Sequence, residues 1–114
     1  MSQASGKKPI VVVVDDDPTM RVLVAETLEP DGIDVVEASD GGAALGLLRA
    51  RVPDLVLLDV EMPGLDGFGV CEEIRRLPGG ASLPVVMMTG REDVESIRRA
   101  YEAGATDFLT KPIP

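Results

Sequence analysis

Short aliphatic runs, each cut off by a polar group, most constrain what this chain can fold into. Within DLVLLDVEMPGLDG (residues 54–67), Leu55, Val56, Leu57 and Leu58 form an unbroken apolar run that stops at Asp59, with Pro63 and Gly64 close behind. A run of that length without alternation is the pattern of a strand buried on both faces, and Pro and Gly signal the turn beyond it. Asp59 is therefore expected at a strand's carboxyl end. Residues 10–14 (IVVVV) likewise end in Asp15, Asp16 and Asp17, and residues 83–88 (LPVVMM) end in Thr89 and Gly90. Set side by side in parallel, these strands would carry their acids and hydroxyl to one rim, the edge at which open α/β sheets place ligands.

The intervening segments carry helical signals. Pro18 directly after Asp17 predicts a helix capped by Asp17, with Met20, Leu23, Val24, Thr27 and Leu28 at helical spacing to about Glu29. After a short strand over residues 34–38, Asp40, Gly41 and Gly42 open a second helix with Ala44, Leu47 and Leu48 on its inner face. Asp66 caps a third, facing inward through Val70, Ile74 and Leu77, and Pro78 stops it. A fourth presents Val94, Ile97 and Tyr101, with Gly104 at its C′ position, and residues 107–110 form a last strand before Lys111 and Pro112. The alternation predicts an α/β fold, a doubly wound parallel five-stranded sheet with right-handed crossovers. Such a sheet needs helices on both faces, and the alternation stops before a fifth helix. The bare face is expected to be covered by chain that follows or by another copy, since leaving three or four apolar side chains uncovered costs about 5 to 10 kcal/mol. That rivals the stability of a small domain.

At 114 residues the chain fits one domain, with residues 1–8 as a flexible leader and 9–114 as the folded unit. A net charge of -9 argues against nucleic acid or an anionic membrane as a partner of this segment. No apolar run approaches a membrane span and residues 1–8 lack a signal-peptide core, which reads as cytoplasmic. Cys71 is the single cysteine, so no internal disulfide can form, and the absence of His removes histidine catalysis and the usual zinc sites.

Carboxylates gathered at adjacent strand ends repel one another unless a cation sits among them. Oxygen-only ligands suit Mg2+, or alternatively Mn2+, and such an ion reaches for phosphate oxygens. A carboxylate can serve as the nucleophile of phosphoryl transfer, and the negative charge on the equatorial oxygens then calls for cationic and hydroxyl donors. Lys111 and Thr89 come from the strand ends best placed to supply them, and a cis bond before Pro112 would fix the lysine's direction. Glu61, two residues after Asp59, and Arg91, two after Thr89, are expected to pair across the opening and slow attack by water.

The combination of VVVVDDDP, LVLLDVEMPGLDG, PVVMMTG and DFLTKP, running from Ile10 to Pro112, resembles the receiver domain of two-component response regulators. The resemblance implies a flavodoxin-like fold with sheet order 2-1-3-4-5. It implies phosphorylation of Asp59, an acidic pair in Asp15 and Asp16, and Mg2+ bound directly by Asp16, Asp59 and the backbone carbonyl of Glu61, with Asp15 acting through water. Thr89 and Lys111 match the residues that hold the phosphoryl oxygens, and Phe108 falls at the aromatic switch position. The phosphodonor would be a histidine kinase or phosphotransfer protein. The target would be an output domain beyond Pro114 or a separate effector, reached through the surface of helix 4 and strand 5, which could also support a homodimer. On this reading the chain is no enzyme beyond its own phosphotransfer and slow autodephosphorylation.

The strongest rival is a phosphatase of the haloacid-dehalogenase type, since VVVVDDDPT resembles that family's opening motif, with Asp15 as nucleophile and Asp17 as acid. Pro18 stands where a Gly is expected there, the chain is short for that family, and Asp59 would be left without a role. A flavodoxin-like cofactor binder would need a Ser, Thr and Gly-rich phosphate loop after the first strand, which is absent.

Overall fold

In the computed structural model, residues 7–90 and 94–111 are described. Their elements alternate as β1 (Ile10–Val14), α1 (Pro18–Leu28), β2 (Asp34–Ala38), α2 (Gly41–Ala50), β3 (Leu55–Asp59), α3 (Gly67–Arg76), β4 (Val85–Thr89), α4 (Val94–Glu102) and β5 (Asp107–Thr110), with a 3-10 turn over Glu29–Asp31 after α1. All strand pairs are parallel, and the sheet order is β2-β1-β3-β4-β5, as expected. Three helices begin at an aspartate that accepts from the first turn: Asp17 from the Thr19 N–H at 2.9 Å, Asp40 from Ala43 at 2.8 Å and Asp66 from Gly69 at 3.0 Å. Each satisfies an N–H that the helix cannot. No helix among the described residues is long and apolar enough to cross a membrane.

Strand parity divides the core. Val12, Val14, Val56, Leu58, Val85 and Met87 pack on one side with residues of α2, α3 and α4, including Leu45, Leu48, Val70, Cys71, Ile74 and Ala100. On the other side Val13 and Met88 meet Val24, flanked by Met20, Leu28, Val35 and Leu57. Only α1 covers this second side among the described residues. Leu55, Leu57 and Val86 there are half-buried and Leu109 is exposed, the incomplete cover that the alternation led us to expect.

Three helix faces differ from expectation. In α2 the buried residues are Gly41, Ala44, Leu45 and Leu48, whereas Leu47 is exposed. At 100° per residue Leu47 lies about a quarter turn from that stripe. In α1 Val24 is buried but Leu23 and Thr27 are exposed. In α4 the buried residue is Ala100, while Val94 and Tyr101 are exposed. A small alanine at the contact lets α4 lie close to the sheet and turns the larger side chains outward. β4 also begins at Val85, not residue 83, because Pro84 has no N–H to give the ladder and contributes only its carbonyl, to the Val56 N–H at 3.0 Å.

Arg75, at the end of α3, fastens two loops, the one between α3 and β4 and the one between α4 and β5. Its Nε donates to the Gly104 carbonyl at 2.8 Å, and Nη1 to the carbonyls of Gly80 at 2.8 Å and Leu83 at 2.6 Å. Gly104, at φ 104°, has no side chain to obstruct the guanidinium, whose stem atoms would lie 3.0 Å from a Cβ there. Charge-assisted bonds to buried carbonyls contribute about 1.5 to 3 kcal/mol each, and orphaned carbonyls carry their own penalty. Arg75→Met, which keeps the stem, is expected to lower unfolding free energy by about 3 kcal/mol or more in urea titrations, with Arg75→Lys recovering only a part.

Candidate functional site

The carboxyl ends of β1, β3 and β4 and the residue after β5 converge on one polar cluster. The Asp15 N–H extends the β1 ladder to the Ala38 carbonyl at 3.1 Å, which holds a fully buried side chain at the rim. Its Oδ1 accepts from the Asp17 N–H at 3.0 Å, and its Oδ2 from Lys111 Nζ at 2.8 Å. Its carbonyl accepts from Arg21 Nη1 at 2.7 Å, and Arg21 Nε donates to Glu37 at 3.0 Å. Asp59 ends β3, and the next N–H, that of Val60, still reaches the Met88 carbonyl at 2.9 Å. Asp59 Oδ1 lies 3.0 Å from Lys111 Nζ and 3.4 Å from the Glu61 N–H. Gly67 lets α3 begin against this backbone, since a Cβ there would sit 2.3 Å from the Asp59 carbonyl oxygen. Thr89 is buried at the end of β4, and its carbonyl accepts from the Lys111 N–H at 2.6 Å, which aligns the lysine.

Carboxylate oxygens of Asp15, Asp16 and Asp59 lie within 4.8 Å of one another. One ammonium faces three acids, so charge remains uncompensated. Burial pushes the Asp59 carboxyl up to about 6, Asp15 adds repulsion, and the Lys111 and Glu61 donors pull the other way. Burial works to lower the Lys111 pKa, but its bonds to Asp15 and Asp59 outweigh that and hold it above the usual lysine value. Closely set oxygen donors, with no nitrogen or sulfur ligand among them and an exposed Asp16 at the mouth, fit a hard divalent cation. Both Asp15 oxygens are already engaged, which suits that residue to acting through water.

The structure thus brings together Asp15, Asp16, Asp59 and Lys111, with Thr89 on the adjoining strand end. Glu61 is exposed, and its Oε1 leans to 3.9 Å from the position a Cβ would take on Gly90, toward the β4 to α4 connection. Arg91 and the bond before Pro112 lie outside the described residues. Phe108 stands apart from the acids, half-buried against the main core and edge-on to Tyr101 at 6.2 Å and 86°. Asp17, the acid of the phosphatase alternative, is exposed and caps α1. Nothing supports that alternative. Sequence reasoning missed Arg21, whose contacts with β1 and β2 are set by packing and leave no local pattern.

With no cation bound, the site opposes folding as pH rises. The folded protein holds the Asp59 proton up to about pH 6 and the unfolded chain only to about 3.8. The stabilisation is therefore full below about pH 3.8 and is lost as pH climbs through 6. In the presence of a chelator, Asp59→Asn is expected to exceed the parent in stability at pH 7 by about 1 to 3 kcal/mol. Urea midpoints measured from pH 4 to 7 should show the difference opening across that window.

Known proteins resemble this chain in sequence and in fold. The family model described as the response regulator receiver domain matches residues 11–114. Among curated relatives, a probable transcriptional regulator ycf27 of Guillardia theta is 42% identical over 92% of this chain and 40% of its own length. The DNA-binding dual master transcriptional regulator RpaA of Synechocystis is 39% identical over 91% of this chain and 43% of its own. The chain thus spans about two-fifths of the length of these relatives. Among solved structures, the chemotaxis protein CheY4 of Vibrio cholerae superposes with a TM-score of 0.91 at 30% identity, covering 95% of this chain and 90% of that one. The receiver domain of NtrX from Brucella abortus gives 0.82 at 38% identity, covering 91% and 87%. A flavodoxin-like sheet with its acids at one rim, matched along nearly its whole length, places this chain in the receiver domain family of two-component response regulators.

Proposed function

We propose that Asp59 accepts a phosphoryl group from the phosphohistidine of a kinase or phosphotransfer protein, and that the charge it gains resets the α4 and β5 surface. The observation that carries this reading is the Lys111 ammonium held between Asp15 and Asp59, at 2.8 and 3.0 Å, beside the buried Thr89. Asp16, Asp59 and the Glu61 carbonyl would hold a Mg2+ ion directly and Asp15 through water, with Mn2+ as a substitute. When bound, the ion neutralises phosphoryl oxygens and offsets the repulsion between the acids. An Asp59 carboxylate oxygen attacks phosphorus as the bond to the imidazole nitrogen breaks, and the imidazole takes up a proton. Lys111 already points at the nucleophile and turns to the incoming phosphoryl oxygens, while Thr89 supplies a hydroxyl from the adjacent strand.

The product carries about 1.5 to 2 additional negative charges on a side chain deep in the rim. Thr89 moves toward them, and Phe108 turns into the space it leaves, a two-state shift driven by a local change of charge. Phe108 has no hydroxyl to satisfy, so its inward state is wholly apolar. The reset surface acts on an output domain or separate effector, or pairs two copies through α4 and β5. Regulation of transcription is the output suggested by the relatives' names. We place this activity in the cytoplasm, with residues 1–8 as a leader outside the domain.

Incubation with acetyl phosphate and Mg2+ is expected to add one phosphoryl group to Asp59, detected by intact mass and peptide mapping. Chelator or Asp59→Asn should abolish it, and label on Asp15 would overturn the proposal in favour of the phosphatase chemistry. Glu61 and Arg91 are proposed to guard the phosphoryl from water. The Glu61→Ala, Arg91→Ala double variant should therefore lose label several-fold faster, and an unchanged half-life refutes the guard without touching the site.

A further inference from the structure

We propose that the groove between the carboxyl ends of α2 and α3 docks an acidic, amphipathic segment of a partner protein. This surface lies at the edge of the sheet opposite Asp59, so it is independent of the phosphoryl site. The groove measures about 500 Å³ and is lined by Leu48, Arg49, Arg51, Val52, Leu77 and Pro78, with no acid among its lining residues. Val52 is 48% exposed, a large fraction for an aliphatic side chain beside the half-buried Leu77 and the exposed Pro78. Gly79, at φ 78°, keeps the opposite wall low, because a Cβ there would stand 3.2 Å from Val52 Cγ2.

The charge pattern selects the occupant. Lys8, Arg21, Arg76, Arg98 and Lys111 each reach a carboxylate. Arg49 and Arg51 are exposed, and among the described residues their side chains make no ion pair or hydrogen bond. In a chain with 20 acidic residues and a net charge of -9, two uncompensated guanidiniums on one apolar groove are a local reversal. The α2 dipole accounts for Arg49, which lies in the last turn. Arg51 is the C-cap residue, and its extended backbone at φ -163° and ψ 131° has left the helix. An apolar side chain seated on Val52, Leu77 and Pro78, with a carboxylate toward each arginine, would complement both features. A nucleic acid would meet repulsion from the rest of the surface.

The test pans two displayed peptide libraries against the whole chain, each with apolar anchors at fixed spacing, one flanked by Asp and Glu and the other by Lys. Acid-flanked sequences should be enriched, and their amide shifts should centre on residues 48–52 and 77–79. The Kd of selected peptides should rise about tenfold or more in the Arg49→Glu, Arg51→Glu variant and also with salt. Arg51→Gln alone, which keeps the stem, should give a smaller rise, and acetyl phosphate labelling of Asp59 should be unchanged in both variants. Equal enrichment of the two libraries, or binding that survives charge reversal, would overturn the proposal. So would a dimer seen in sedimentation and lost in the variant, which would assign the groove to a second copy.

Discussion

An ammonium held between two buried carboxylates is the contact on which this structure turns. Asp15 and Asp59 come from neighbouring strands whose ladders continue past the last regular residue, so neither acid can retreat from the other. Lys111 compensates part of their repulsion, yet burial still pushes the Asp59 carboxyl up to about 6. The fold therefore carries a local electrostatic conflict that any bound cation relieves, and a group that relieves it is bound the more tightly for that reason.

Such a conflict persists only where the surrounding scaffold leaves no room to relax. Arg21 ties the Asp15 carbonyl to Glu37 and so joins the ends of β1 and β2 to α1. The Asp17 N–H occupies one Asp15 oxygen, while the Asp17 side chain caps the same helix. One short segment thus orients a buried acid and starts a helix, which explains why three consecutive aspartates occur there. The first is buried and engaged, the second stands exposed at the mouth, and the third is a cap.

Parallel strands buried on both faces are written as unbroken aliphatic runs, so β1 and β3 could be placed almost to the residue and β4 at its carboxyl end, and with them the rim that gathers Asp15, Asp59 and Thr89. Helix faces were less legible. Leu23, Leu47, Val94 and Tyr101 all satisfy a 3.6-residue repeat, but so do Leu45 and Ala100, which the sheet selects. In α4 hydrophobic size favours the wrong stripe, because close approach to the sheet favours the small Ala100. Arg75 and Arg21 could not be read at all, because a guanidinium at the end of a long stem reaches carbonyls distant in sequence. Phe108 was placed as a switch by resemblance alone, and its edge contact with Tyr101 depends on the outward turn of α4 that periodicity missed.

The two ends of α3 connect the chemistry to the far edge of the sheet. At its start, Gly67 lies so close to the Asp59 carbonyl that even a methyl group would overlap it, and the Gly67 N–H donates to the Val60 carbonyl at 3.0 Å. At its end, Arg75 grips Gly80, Leu83 and Gly104. A helix free to slide along its axis would press its first turn on the backbone that bears the nucleophile. Fixing the distal end sets that spacing, and the same bond to Gly104 anchors the carboxyl end of α4. The carboxyl end of α4 is thus held by the same arginine that ends α3, while its amino-terminal end follows β4, the strand that closes on Thr89.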